Sequence, residues 1–284
     1  MSRLDAPAPA PLRFRKMHGL GNDFVVIDAR SGDAAAMTPA LARALGDRRR
    51  GVGFDQLAML SDAPGADVAV AYWNADGSRA AACGNATRCV AALMLAEGLG
   101  PDLRIEVAGR GVLEARRRED GLIEVDMGAP ATGWRDVPLS EAADALALPL
   151  PGNPAALSMG NPHCVHFVAD LAAVDWRARG AEVETHPLFP ERTNVQFAQV
   201  IDRGHVRARV WERGVGPTLA SGSSACAIAV AGALRGLTDR RVAVELEGGT
   251  LEIDWRADGH VLMAGPVADV FTGEIAPEFL AALA

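Results

Sequence analysis

The apolar positions of the chain fall into short β-branched runs and two long stretches that are apolar all round. Phe24-Val-Val-Ile27, Ala66-Asp-Val-Ala-Val-Ala-Tyr-Trp73 and Cys164-Val-His-Phe-Val168 read as strands. Thr38 followed by Pro39 predicts a capped helix start, with the helix running through Leu45 and stopped by Gly46. Asn85 to Glu97 has helical spacing, almost no polar face and Gly98 as its stop. Ser223 to Arg235 is equally apolar. A helix without a polar face has to be buried, so each is expected at the centre of a wrap of strands. A last helix is predicted from Pro277 to Leu283, and the Pro- and Ala-rich stretch from Pro130 to Pro154 reads as a linker.

The two buried helices belong to a longer repeat. Cys83-Gly84-Asn85 opens the first and Ser221-Gly222-Ser223 the second, with Ser221 standing 138 residues after Cys83. Gly98-Leu99 and Gly236-Leu237 keep that register, as do Gly111-Val-Leu-Glu114 and Gly249-Thr-Leu-Glu252. Gln56 falls on Asn194 at the same offset, and Gly21-Asn22 on Gly160-Asn161 one residue out. A register held over most of a half-chain implies two copies of one mixed α and β unit.

Composition narrows the class. With 284 residues and 49% hydrophobic content the chain can bury a core without disulfides. A formal net charge of −8 argues against nucleic acid or an anionic membrane as the partner. Arg48-Arg49-Arg50 and Arg116-Arg117-Arg118 are short and read as decoration of solvated loops. No apolar run is long enough for a bilayer, and Met1 to Arg15 shows no signal-peptide core, so the cytoplasm is expected. The cysteines Cys83, Cys89, Cys164 and Cys226 lack C-x-x-C or zinc spacing and are expected to be free thiols, with no metal site.

Candidate chemistry gathers at the repeated helix entrances. A helix N-terminus offers unpaired N–H groups and partial positive charge, which suits a carboxylate and lowers the pKa of a cysteine placed there. If the copies face each other, two such ends converge on a small carboxylic acid, with one group on either face of the adjacent carbon. A lone cysteine before glycine is more often a small core residue; its place at a repeated entrance makes Cys83 a candidate acid or base. Cys89 and Cys226 fall within apolar helix faces and Cys164 in a strand, so these are expected in the core. His163 after Pro162 reads equally as a turn histidine or a site group.

On these residues the chain resembles the diaminopimelate epimerase family. Lys16-Met-His-Gly-Leu-Gly-Asn22-Asp-Phe is similar to that family's opening motif. Further matches are Gly53-Phe-Asp-Gln56, Asn74-Ala-Asp-Gly-Ser78, Cys83-Gly-Asn85, Gly160-Asn-Pro-His163, Arg192-Thr-Asn194 and Trp211-Glu-Arg-Gly214. The resemblance implies a mixed α/β fold of two pseudo-symmetric halves, each a curled mixed sheet around a central buried helix. On that template residues 1–130 form the first half and 131–272 the second, with 273–284 returning to the first. It also implies interconversion of LL- and meso-diaminopimelate in lysine and peptidoglycan precursor synthesis, without pyridoxal phosphate, metal or other cofactor. By matching motif, Cys83 and Ser221 hold the two acid–base positions. Asn22, Gln56, Asn74, Asn161, Asn194, Glu212 and Arg213 contact substrate, and Gly84-Asn85 and Gly222-Ser223 offer backbone N–H groups. Dimers are common in the family, while no interface is legible in the sequence.

The chain departs from the family pattern at one mechanistic position. The family has a cysteine at each entrance; here the second is Ser221. Ala86 and Ser224 stand where glycines are usual, and Pro217 where a glutamate is usual. Ser221 is expected either to relay a proton through water or a neighbouring Glu or His, or only to cap its helix. Either way the Cys–Cys oxidative lock open to a two-thiol site cannot form. Two other readings fit a one-thiol site: a proline-racemase-like isomerase or dehydratase, and a diaminopimelate-binding homologue with impaired catalysis.

Overall fold

Two apolar helices organise the molecule, and the sheets are built around them. A computed structural model describes residues 11–30, 32, 37–80 and 83–283. The first half runs β1 (Leu12–Gly19), β2 (Asn22–Asp28), α1 (Pro39–Gly46), β3 (Gln56–Ser61), β4 (Val68–Asn74) and β5 (Arg79–Ala80). It continues with α2 (Gly84–Ala96), β6 (Asp102–Val107), β7 (Gly111–Arg117) and β8 (Ile123–Asp126). The second repeats it as β9 (Ala155–Ser158), β10 (Pro162–Phe167), α3 (Trp176–Glu184), β11 (Asn194–Asp202), β12 (His205–Glu212) and β13 (Gly216–Thr218). There follow α4 (Gly222–Leu234), β14 (Arg241–Leu246), β15 (Gly249–Trp255) and β16 (Val261–Gly265). The chain ends with β17 (Ala268–Ile275) and α5 (Pro277–Ala281).

The pairing repeats with the elements. β2–β3 and β4–β6 are parallel, as are β10–β11 and β12–β14, while the hairpins β6–β7 and β14–β15 are antiparallel. Each sheet uses its two faces differently. Phe24, Val26, Ala58, Leu60 and Tyr72 pack with α2, while Val25, Ile27, Leu57 and Trp73 turn to the cluster that α1 covers. That alternation is the period-two pleat of a strand buried on both faces. The cores of α2 and α4 join in one cluster that crosses between the halves. Each fully buried Leu or Val there contributes about 1.5–3 kcal/mol relative to exposure.

Local signals set the helix ends. The Thr38 side chain accepts from Leu41 N, and Pro39 takes the first turn of α1. Gly98 follows α2 with φ +87°, the left-handed turn that ends a helix without strain. α5 stops at Ala281, two residues short of the expected end, and returns Leu280 to the first half's outer cluster.

Strands carry two connections between the halves. β8 pairs with β16, and β17 lies antiparallel on β1 from Leu12↔Ile275 to His18↔Ala268. The C-terminal return therefore begins earlier than residue 273.

Two expectations are corrected. The stretch 130–154 has no helix or strand but is not a free linker: Val137, Leu139, Leu148 and Leu150 are buried against Trp176, Phe189 and Phe197. Its proline content breaks regular structure without removing the apolar anchors. Arg116 and Arg117 belong to β7 rather than a loop, and Arg116 pairs with Glu124 across the β7–β8 ladder. Arg48 likewise is not idle decoration, since its fork grips both oxygens of Asp23 and reaches Asp55. The stretch Met1–Arg15, expected to hold no signal peptide, lies outside the described residues over its first ten positions. No helix among the described residues is long and apolar enough to cross a membrane.

Candidate active site

Cys83 and Ser221 occupy the same position in the two halves. Each is the N-cap of its buried helix, in extended backbone at φ −147°, ψ 108° and φ −138°, ψ 118° respectively. Each is followed by a glycine that the packing demands. A Cβ on Gly84 would lie 3.0 Å from Met263 Cε, and one on Gly222 would lie 2.7 Å from Met263 Sδ. One methionine thus abuts both helix entrances, which places them side by side between the halves. The same Gly222 Cβ would lie 3.3 Å from Asn85 Oδ1, so the first residues of α2 and α4 meet directly.

The two caps differ in what they bond. Cys83 Sγ accepts from Ala86 N at 3.4 Å and lies 3.9 Å from Asn22 Oδ1. Ser221 makes no capping bond; its hydroxyl donates to Glu212 Oε2 at 3.1 Å. The helix-cap reading of Ser221 is thereby set aside. Ser221 is buried, and Glu212 is a half-buried carboxylate at the end of β12.

Amide side chains line the rest. Asn85 Nδ2 donates to Asn22 Oδ1 at 3.1 Å and to Ala220 O at 3.2 Å, joining the first half to the residue before Ser221. Asn22 is held by Asp55, which accepts from its Nδ2 at 2.7 Å, and Asp55 in turn is gripped by Arg48. Gln56 Nε2 donates to Asn74 Oδ1 at 3.0 Å across β3 and β4. In the second half, Asn194 Nδ2 donates to Pro162 O at 2.8 Å and its Oδ1 accepts from Arg213 N at 3.0 Å. The Arg213 side chain is exposed, and its Nη1 reaches Glu191 O at 3.2 Å. Ser223 is half-exposed at the second position of α4.

His163 is a positioned group rather than a turn histidine. It is fully buried in β10, with Nε2 donating to Asn161 Oδ1 at 2.9 Å and Nδ1 accepting from Gln196 Nε2 at 3.0 Å. Burial, with the charges of Arg213 and Arg110, pulls its pKa down to about 3, so the ring is neutral. Gln196 also donates to Ser224 Oγ at 2.9 Å, tying α4 to this network. Sequence reasoning missed Gln196. Its position two residues beyond Asn194, on the same face of β11, was the available signal.

The protonation of Cys83 corrects one expectation. Burial pushes the Cys83 thiol up to about 12, and the nearby Glu212 charge adds to the rise. The N–H groups of Ala86 and Asn85 act in the other direction but do not outweigh desolvation. Cys83 is therefore held as a thiol, not a thiolate. Burial also raises the Glu212 pKa, opposed by the Ser221 hydrogen bond, which makes this carboxylate a stronger base than an exposed one. Cys89, Cys164 and Cys226 are buried in the core as expected. A cleft of about 570 Å³ lined by Phe14, Val26, Leu93 and Thr272 lies elsewhere on the surface and shares no residue with the helix entrances.

The family model for diaminopimelate epimerase matches residues 14–132 and 155–270, one match in each half. The chain belongs to the diaminopimelate epimerase family. It is 50% identical over 275 residues to the diaminopimelate epimerase of Rhodospirillum centenum, covering 94% of each chain. With that of Acidiphilium cryptum it shares 51% over 272 residues, covering 94% of this chain and 98% of the relative. Distant solved structures share the fold. A phenazine biosynthesis protein of the PhzF family from Bacillus anthracis superposes with TM-score 0.68 at 15% identity, covering 94% of this chain and 99% of that one. A probable proline racemase from Agrobacterium radiobacter gives 0.66 at 15% identity, covering 93% of each. Within the diaminopimelate epimerase family, the repeat seen in this sequence is thus the fold's own pseudo-symmetry.

Proposed function

We propose that this chain epimerises diaminopimelate with an unequal pair of acid–base groups, the Cys83 thiol on one face of the α-carbon and the Ser221–Glu212 couple on the other. The observation that carries the pairing is the 3.1 Å hydrogen bond from the Ser221 hydroxyl to the half-buried Glu212 carboxylate. A hydroxyl alone is a poor base; one that hands its proton to a carboxylate is not. Cys83, held as a thiol, already carries the proton it delivers.

In one direction Ser221 Oγ takes the α-proton while its own proton passes to ionised Glu212. Cys83 then delivers its thiol proton to the opposite face of the carbanion. The products are the inverted α-carbon, a protonated Glu212 and a Cys83 thiolate, so protons and charge balance. The reverse reaction runs through the same groups. The entrance N–H groups at Gly84-Asn85 and Gly222-Ser223 face the α-carboxylate, where enediolate-like charge grows. Asn22, Gln56, Asn74, Asn161 and Asn194 read the remaining polar groups without adding charge. Arg213, exposed and tied by its side chain to a backbone carbonyl, is free to take the distal carboxylate in a two-donor fork.

The division into halves 1–130 and 131–272 belongs to the same reading, since the acid–base groups come one from each and must close on substrate across the boundary. The homodimer common in the family belongs to it as well. β17 presents Val270 at 55% exposure and Phe271 at 49%, an apolar surface suited to a second copy. Glu212→Gln tests the pairing: it keeps a hydrogen-bond acceptor for Ser221 but removes the base. Turnover should fall about 10²-fold or more with the fold intact. Unchanged turnover would remove Glu212 from the proton path.

A further inference from the structure

Arg88 is a charged residue that the mechanism above leaves unused. It lies on α2 one turn beyond Asn85 and is fully buried. Its Nη1 donates to Asn85 Oδ1 at 2.9 Å and sits 3.4 Å from Met263 Sδ. Among the described residues, Nε and Nη2 have no hydrogen-bond partner. Glycines wall the group in: a Cβ on Gly19 of β1 would lie 2.9 Å from Nη2, and one on Gly265 of β16 would lie 3.3 Å from Nε. Among the described residues, the ionisable groups facing it are thiols, Cys83 at the N-cap of α2, Cys89 on α2 and Cys226 on α4, with no carboxylate among them.

An unpaired charge in a dry core is strongly unfavourable, and replacing buried ions by apolar groups is often neutral or stabilising. Burial works against the charged form here, but a guanidinium stays protonated. A chain that keeps such a group without a counter-ion has stored an electrostatic demand. The place where a negative charge arrives is next door. Asn85, which Arg88 holds by its side-chain oxygen, joins Asn22, Ala220 and both helix entrances.

We propose that Arg88 is the counter-charge for the anion received at the two helix entrances, acting through Asn85 as a positioning residue. This rests on the epimerase reading of that cradle. Donation to Asn85 Oδ1 polarises the amide and strengthens its own bonds to Asn22 and Ala220. The fixed charge, in a site shielded from water, favours the extra negative charge that grows on the substrate carboxylate as the α-proton leaves. The substrate supplies in the complex the negative partner that the protein itself withholds.

The test compares Arg88→Met and Arg88→Lys in the full chain. Arg88→Met should melt no lower than wild type, because it removes an unpaired buried charge, yet lose turnover about 10²-fold, mostly in kcat rather than KM. Arg88→Lys, which keeps the charge, should stay within about tenfold of wild type. Added diaminopimelate should raise the melting temperature of wild type and Arg88→Lys more than that of Arg88→Met. Wild-type turnover in Arg88→Met overturns the proposal. So does a melting temperature that falls in both variants together with activity, which is the behaviour of a packing residue. If wild type itself exchanges no α-proton, the epimerase reading fails, and the ligand-induced shift still decides Arg88: equal shifts in wild type and Arg88→Met reject it.

Discussion

Restoring a thiol at the second helix entrance should make the enzyme faster. Ser221 and Cys83 have nearly the same backbone angles at the same helix position, so Ser221→Cys presents its sulfur as Cys83 does. A positioned acid or base contributes about 10²–10⁴-fold, equal to about 2.7–5.4 kcal/mol of barrier at about 1.36 kcal/mol per tenfold. Two features of the structure place the gain at the lower end. On the proposed path Glu212 already takes the hydroxyl proton across the 3.1 Å hydrogen bond, so part of the effect is present in wild type. Burial at the equivalent position pushes the Cys83 thiol up to about 12, so a thiol introduced beside Glu212 is also held protonated. The expected gain is about 10²-fold in kcat, with KM changed little, since the N–H groups facing the carboxylate are untouched. Turnover is measured from both stereoisomers for wild type, Ser221→Cys and Ser221→Ala, the last expected to be slowest. Equal rates for all three would falsify the two-base account of this site, because no proton would then pass through position 221.

Three further outcomes test other parts of the structure. Arg213→Lys should raise KM for diaminopimelate by tenfold or more with little change in melting temperature, because an ammonium cannot form the planar fork; steady-state kinetics decide it. Burial alone would raise the Asp23 pKa, but the hydrogen bonds from Arg48 and Lys16 outweigh it and hold the carboxyl down from 3.8 to about 2. That depression gives about 2 kcal/mol of stability, present above pH 3.8 and lost as pH falls through about 2. Denaturant titrations of wild type and Asp23→Asn should therefore differ at pH 7 and converge towards pH 2. Phe271→Asp should shift a dimer to monomer in sedimentation while leaving the secondary structure unchanged; an unchanged mass rejects β17 as the interface.

The helices around which the fold is built were legible because their signals are local. A stretch such as Ala225 to Ala231 has no polar face to offer water, so burial follows from composition alone. The Thr38-Pro39 start and the Gly98 stop are likewise contained in adjacent residues. The 138-residue register placed Cys83 opposite Ser221, and the shared contact with Met263 follows from it. What stayed hidden depends on partners far along the chain. Nothing near Ala268–Ile275 shows that it pairs with β1, more than 240 residues earlier. The segment 130–154 looked like a linker because prolines dominate its pattern, while its four buried Val and Leu anchors match a surface built later in the chain. The rise in the Cys83 pKa was not anticipated because a helix entrance is visible in sequence and the packing that desolvates the thiol is not. Arg88 was invisible for the same reason: an arginine in an apolar helix is ordinary until its neighbours are known to lack a carboxylate.

Proton exchange at the α-carbon in deuterated water tests the central claim most directly. Wild type is incubated separately with LL- and meso-diaminopimelate, and the α-position is followed by NMR alongside Cys83→Ala, which should remain folded. The account predicts deuterium at the α-carbon of the product from either stereoisomer, and no inverted product from Cys83→Ala. Binding of both stereoisomers by wild type without deuterium incorporation, or inversion by Cys83→Ala at the wild-type rate, would contradict it.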